Sequence, residues 1–88
     1  MRAPYFSTKF RHDFKRAVKR NLDMALLRAV MKDLEDSVPL DPKYQEHLLT
    51  GAYAGHTECH IQSDWLLIYV ITDSSVTFTR TGTHSDLF

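Results

Sequence analysis

Trp65-Leu66-Leu67-Ile68-Tyr69-Val70-Ile71 is apolar at every position. Successive side chains of a strand point to opposite faces, so a run without alternation predicts a strand covered on both sides. That places it at the centre of a sheet. Residues 57–61 precede it across Gln62-Ser63-Asp64, and residues 76–81 follow the strand at 65–72 across Asp73-Ser74-Ser75. Connections of this length suit hairpins. Val76-Thr77-Phe78-Thr79 alternates, as a strand buried on one side does, and Arg80 continues the parity of Val76 and Phe78.

The period changes ahead of this sheet. Residues 3–6 suit a short edge strand, and the Ser7 hydroxyl can cap the helix that follows. Phe10, Phe14, Ala17 and Val18 then recur as one apolar stripe, with Arg11, Lys15, Arg16 and Lys19 on the other faces. Asn21-Leu22-Asp23 breaks the stripe, and Asp23 can cap a second helix carrying Met24, Leu27, Val30, Met31 and Leu34. The short loop predicts an antiparallel helix pair. Val38-Pro39-Leu40-Asp41-Pro42 ends the helical half, because proline lacks the N–H and restricts its predecessor. The expected architecture is α+β: two antiparallel N-terminal helices packed on one face of a small antiparallel sheet.

A chain of 88 residues makes one domain, 1–88. No apolar run approaches the roughly 20 residues that span a bilayer, and residues 1–10 lack the apolar core of a signal peptide. Cys59 is the only cysteine, which forbids an internal disulfide and suits a reducing cytoplasm. The net charge of zero hides an asymmetry. Residues 1–32 carry nine Lys or Arg against Asp13 and Asp23, a balance of +7, and residues 33–88 balance it at −7. Screening acts over about 8 Å at physiological salt, so a partner feels the local patch. Lys15, Arg16, Lys19 and Arg20 are candidates for contact with RNA phosphates; the alternative is a solvated helical face.

Four of the five histidines lie in residues 44–88, together with Tyr44, Asp64, Trp65, Arg80 and a final Phe88. Histidine both takes and gives protons near neutral pH. Cleavage of RNA by its own 2′-OH needs a base for that proton, an acid for the departing 5′-oxygen, and a cation for charge at phosphorus. Two histidines and Arg80 meet this minimum without a cofactor.

Three segments carry a more specific signal: Tyr44-Gln45-Glu46-His47-Leu48-Leu49-Thr50-Gly51, His60-Ile61-Gln62-Ser63-Asp64-Trp65-Leu66-Leu67-Ile68-Tyr69, and Arg80-Thr81-Gly82-Thr83-His84-Ser85-Asp86-Leu87-Phe88. In order and spacing they resemble the YafQ branch of the RelE toxins, in the RelE/ParE superfamily. The helix pair matches more loosely. The resemblance implies a RelE-like fold and a bacterial toxin that cuts mRNA in the ribosomal A site and is silenced by a cognate antitoxin. It also implies catalytic or mRNA-contacting roles for His47, His60, Asp64, Trp65, Arg80, His84 and Phe88. The chain departs from the pattern at Thr57, where close relatives often have a basic residue, and at Ser63, in place of a proline.

Each residue also has a plainer reading. His84 and His47 read alone as surface histidines, and His60 as a hydrogen-bonded structural one. Arg80 can pair with Asp64 or Asp86 instead of a phosphate. Asp64 is either a turn residue or the group that orients a histidine. Trp65 is core or a stacking surface at the start of a strand, and Phe88 stacks likewise or frays. Tyr53 and Tyr69 read as packing, His12 and His56 as surface. His56 and His60 stand about 13 Å apart along a strand, and Cys59 points to the opposite face, so this trio does not build a metal site. A set made of His47, His60 and His84 remains open, but RNA cleavage does not require one. The expectation is a cytoplasmic, metal-independent endoribonuclease without cofactor, monomeric when alone, with antitoxin, ribosome and mRNA as partners and no membrane. The competing reading is a non-catalytic binding module of the same fold, a topoisomerase poison or an inactive antitoxin partner. Such a module has no need of two histidines flanking an arginine.

Overall fold

In the computed structural model, which describes residues 1–88, the apolar run becomes β4 (Trp65–Ile71), third of five strands. Its neighbours are β3 (Thr57–Gln62) and β5 (Ser75–Gly82), both antiparallel to it. β1 (Ala3–Phe6) lies beyond β5 and the two-residue β2 (His47–Leu48) beyond β3, giving the order β1-β5-β4-β3-β2. The sheet is mixed, not purely antiparallel, because β1 runs parallel to β5. Parallel neighbours need a long crossover, and everything between residues 6 and 75 supplies it.

α1 (Thr8–Lys19) and α2 (Met24–Glu35) start where the capping residues predict. The Ser7 hydroxyl accepts from the Phe10 N–H at 2.9 Å, and an Asp23 carboxylate oxygen accepts from the Ala25 N–H at 3.1 Å. Phe10, Ala17, Leu27, Val30, Met31 and Leu34 pack on one face of the sheet against Leu67, Tyr69, Val76 and Phe78. Val18, placed in the apolar stripe by spacing, is half exposed, and Asp13 takes the inward position instead at 4% exposure.

Leu66 and Ile68 point to the opposite face, which the helices do not reach. A third helix, α3 (His84–Leu87), covers it by burying Leu87, with Leu49 and Tyr53 alongside. The arrangement explains why β4 has no polar side.

A bulge changes the meaning of Arg80. Tyr69 pairs with Phe78, but its neighbour Ile68 pairs with Arg80, because the register shifts between them. Paired residues of an antiparallel ladder share a face. Arg80 therefore departs from the face of Val76 and Phe78 that simple alternation gives it, and joins Ile68 on the far side. One extra residue in a strand has this effect.

Phe78 is fully buried, with its ring 5.6 Å from Phe6 and 5.7 Å from Phe10. Phe78→Ala is expected to cost about 3–5 kcal/mol in a urea titration. A loss below about 1 kcal/mol would mean that the helices do not rest on this ring.

Candidate active site

The register puts the chemistry on the far face. Cys59 pairs with Leu67 and belongs to the helix-side core, whereas His60 pairs with Leu66 and Glu58 with Ile68. His47 pairs in turn with Glu58 across β2 and β3. His47, Glu58, His60 and Arg80 thus share one side of three neighbouring strands and β2. The Gly82–Thr83 turn then brings His84 over the same surface at the start of α3.

Glycine is required at that turn by a close approach. A Cβ on Gly82 would lie 2.8 Å from an Asp86 carboxylate oxygen. α3 is closed by a reciprocal cap: Thr83 Oγ1 accepts from the Asp86 N–H, and the Asp86 carboxylate accepts from the Thr83 N–H at 2.9 Å. Arg20 of α1 donates twice to Asp86, at 2.6 and 3.1 Å. This clasp ties the helix that carries His84 to the other layer of the protein.

Three imidazoles stand in a row. The His47 and His60 ring centroids are 6.2 Å apart, and those of His60 and His84 are 6.1 Å apart. Two of the rings have supports of their own. Asp64 Oδ1 lies 2.8 Å from His84 Nδ1 and also accepts the His84 backbone N–H at 3.0 Å. A carboxylate partner puts the proton of the neutral ring on Nδ1, leaving Nε2 as the free face. The same bonds, the backbone one first, hold the Asp64 carboxyl below its ordinary pKa. His47 offers Nδ1 to the Gln45 carbonyl at 2.7 Å and Nε2 to Glu58 Oε2 at 2.9 Å. Both contacts are hydrogen bonds at once only when this ring carries two protons. His60 makes no hydrogen bond within the protein, so both of its nitrogens are open to a substrate.

Arg80 is held by Asp13. Its Nε donates to Asp13 Oδ2 at 2.7 Å and its Nη2 to Oδ1 at 3.2 Å. Nη1 takes no part, and the Tyr53 ring stands nearby. The bonds to Asp13, ahead of the neighbouring Tyr53, raise the arginine pKa further. Neither Asp64 nor Asp86 is its partner. Phe88, 64% exposed, lies with its ring 6.3 Å from His84 and 5.5 Å from Tyr53, forming an aromatic wall on the row of histidines.

Other sequence candidates land elsewhere. Trp65 is 3% exposed and donates its indole N–H to Thr81 Oγ1 at 3.0 Å, so its ring packs the core under the site and has no free face for a base. Of the four basic candidates at residues 15–20, Arg16 bonds Asp13 at 2.9 Å and Arg20 bonds Asp86, while Lys15 and Lys19 are exposed and unpaired. Tyr69 is buried and donates to Glu46, as packing predicts.

Two carboxylates were missed. Glu58 is 4% exposed, with Oε2 on His47 and Oε1 buried without a partner. Its shared parity with His60 in the strand at 57–61 was the available signal. Asp13 interrupts an apolar helical stripe, which was its signal. No group of three His, Cys, Asp or Glu side chains stands as close together as metal ligands do. No helix is long and apolar enough to cross a membrane.

The profile of the bacterial toxin of type II toxin–antitoxin system, YafQ, matches residues 2–88. The chain belongs to the YafQ family. It is 40% identical over 84 residues to the mRNA interferase toxin YafQ of Escherichia coli K12, an alignment spanning 94% of this chain and 91% of that protein. It superposes on the toxin of the E. coli DinJ–YafQ complex with a TM-score of 0.91 at 39% identity, covering 100% of this chain and 99% of the other. It matches a metal-bound toxin from Helicobacter pylori with a TM-score of 0.92, 39% identity and complete coverage of both chains. The helix pair, the mixed sheet and α3 are therefore the YafQ fold.

The α3 clasp has a pH signature. Bonding to Arg20, and then to Thr83, lowers the folded-state pKa of Asp86 well below its ordinary value. A depressed carboxylate stabilises the folded state above its unfolded pKa of about 4, and that contribution fades as pH falls through the folded value. Asp86→Asn is expected to destabilise at pH 7 and to shrink the wild-type advantage below pH 4. Urea midpoints at the two pH values check this; a pH-independent difference would rule the ion pair out as its cause.

Proposed function

We propose that this protein is a toxin that cleaves mRNA on the ribosome by attack of the RNA's own 2′-OH, and that a cognate antitoxin silences it. The observation that carries the reading is the row His47, His60 and His84 beside an arginine fixed by a buried carboxylate. Proton transfer at both oxygens of the scissile phosphate needs two imidazoles a nucleotide's backbone can lie between. His60 and His84 are assigned to that pair, since His60 is unbonded and Asp64 leaves His84 Nε2 exposed. Arg80 binds the phosphate through Nη1 and the free N–H of Nη2. Electrostatic stabilisation by such a clamp is worth several powers of ten where water is excluded. His47, held by Gln45 and Glu58, lines the cleft as the third imidazole of the row. Phe88 supplies a stacking surface for a base at its rim.

One chain holds every one of these groups, which supports a free toxin that acts as a monomer. Its substrate places it in the cytoplasm. Lys15 and Lys19 are free for ribosomal RNA phosphates, while Arg16 and Arg20 have carboxylates to hold. A partner antitoxin is supported by the E. coli relative, solved as a DinJ–YafQ complex. The acid–base set requires no metal, although a related H. pylori toxin has been solved metal-bound. A pure binding module of this fold would leave the Asp64–His84 and Asp13–Arg80 supports without a purpose in recognition.

Programmed ribosomes and end-mapped mRNA test the chemistry. His84→Ala and Arg80→Ala are each expected to slow cleavage about 10²-fold or more while ribosome binding persists. A 2′-deoxy nucleotide at the cut site should block the reaction, and removing transition metals with magnesium maintained should not. In cells, wild-type expression should arrest growth and His84→Ala should not. Full cleavage by both variants, or cutting of the 2′-deoxy RNA, would hand the case to the binding module.

Replacing Lys15 and Lys19 together by Ala should weaken ribosome binding and reduce its salt dependence by about two units of slope at most, one per lost phosphate contact. Unchanged binding across a salt series would reduce both lysines to a solvated face.

A further inference from the structure

Asp13 is the most enclosed carboxylate in the chain together with Glu58, each 4% exposed, and no step proposed above uses it directly. It lies on α1, which covers the helix-side face, yet it grips a residue of the catalytic face. The connection runs around an unprotected edge. β1 pairs with β5 only as far as Phe6 opposite Phe78, so β5 is bare beyond that point. The Ser7 hydroxyl donates to the Thr79 carbonyl at 2.7 Å, and Asp13 Oδ2 accepts the Thr81 N–H at 3.1 Å. Side chains of α1 and its N-cap thus finish the edge that β1 leaves open. The bulge at this level turns Arg80 to the far face. Asp13 takes its Nε and Nη2 in a forked contact, with Arg16 Nη2 on Oδ1 at 2.9 Å.

We propose that Asp13 is a positioning residue for RNA cleavage, setting the orientation of the Arg80 guanidinium so that its unused N–H groups face the scissile phosphate. This rests on the reading of Arg80 as the phosphate clamp. A forked carboxylate fixes both the plane and the direction of a guanidinium, which a single acceptor does not. The arrangement also preserves charge. Asp13, Arg16 and Arg80 together carry one net positive charge, so the clamp stays cationic although one partner is an anion. Displacing a positioned group by about 1 Å can cost about 10²-fold in rate.

Asp13→Asn keeps the size but offers one acceptor oxygen and an NH₂ that faces the guanidinium donors. Single-turnover cleavage on programmed ribosomes, at matched folded fraction by circular dichroism, should fall about 10-fold or more. Half-saturation should not rise, since the arginine's charge is less offset. In an Arg80→Ala background the same substitution should change the rate less than about twofold, because nothing remains to position. If Asp13→Asn does not fold, Asp13→Glu carries the cycle; it keeps the charge and shifts the carboxylate by one methylene. A full-rate Asp13 variant, or a loss that multiplies with Arg80→Ala, would reduce Asp13 to a structural ion pair and overturn the proposal. Full activity of Arg80→Ala itself would instead overturn the clamp, and the proposal with it.

Discussion

β4 has no polar face to turn toward water, and the architecture follows from covering it twice. Tyr69 and Leu67 go under α1 and α2, whereas Leu66 and Ile68 need a second cover that the helical half cannot reach. The last residues provide it by folding α3 across the sheet and burying Leu87. A four-residue helix brings little burial of its own, and an isolated helix of that length does not form in water. It holds because Thr83 and Asp86 cap it and Arg20 grips Asp86 from the other layer. Covering a hydrophobic face is thus what brings His84 beside His60, with Phe88 next to His84. The site is a by-product of the packing solution, built from the elements that close the second layer.

The opposed charges of the two halves take on a different meaning in the folded chain. Three of the basic groups face carboxylates inside the molecule: Arg16 and Arg80 on Asp13, Arg20 on Asp86. Asp64 and Glu58 do the same for His84 and His47. Buried or half-buried ion pairs add little net stability, since desolvation offsets much of the attraction. What they do is fix direction. Each of the anions holds a proton-bearing or cationic group of the cleft, or the helix that presents one. Lys15 and Lys19, like Lys9, Arg11 and Arg28, have no such anion and still face outward.

Much of this was legible in the residues. An unbroken apolar strand, two capped stripes and two short turns define the helix pair and the three long strands, and the three motifs mark His60, Asp64, Arg80 and His84. What escaped had no local signal. β2 is two residues long and becomes a strand only because Glu58 lies opposite. α3 depends on Arg20, 66 positions away. The bulge between Phe78 and Arg80 breaks the period of two on which strand reading rests, so parity put Arg80 on the wrong face. Trp65 misleads for another reason: a residue at the end of a strand can be core or rim, and only Thr81, on the adjacent strand, decides that its indole turns inward. Asp13 was visible as an anomaly, a charge inside an apolar stripe, but its partner became apparent only with the register of β5.

The same bulge explains why the fold can carry this chemistry without exposing its core. A strictly alternating β5 would send Arg80 into the helix-side layer, among Phe10 and Phe78, where a charge is costly to bury. With one residue inserted, the guanidinium leaves that layer, and the opened edge of β5 finds its hydrogen-bond partners on Ser7 and Asp13. The cap of α1 and its buried carboxylate thus share the work on this edge. Ser7 starts the helix and seals Thr79, and Asp13 seals Thr81 and steers Arg80. Ser7 caps α1 and Asp13 lies within it, so the edge strand, the first helix and the arginine are tied together by these contacts. The face that carries the histidine row is thus anchored to the layer on the opposite side of the sheet.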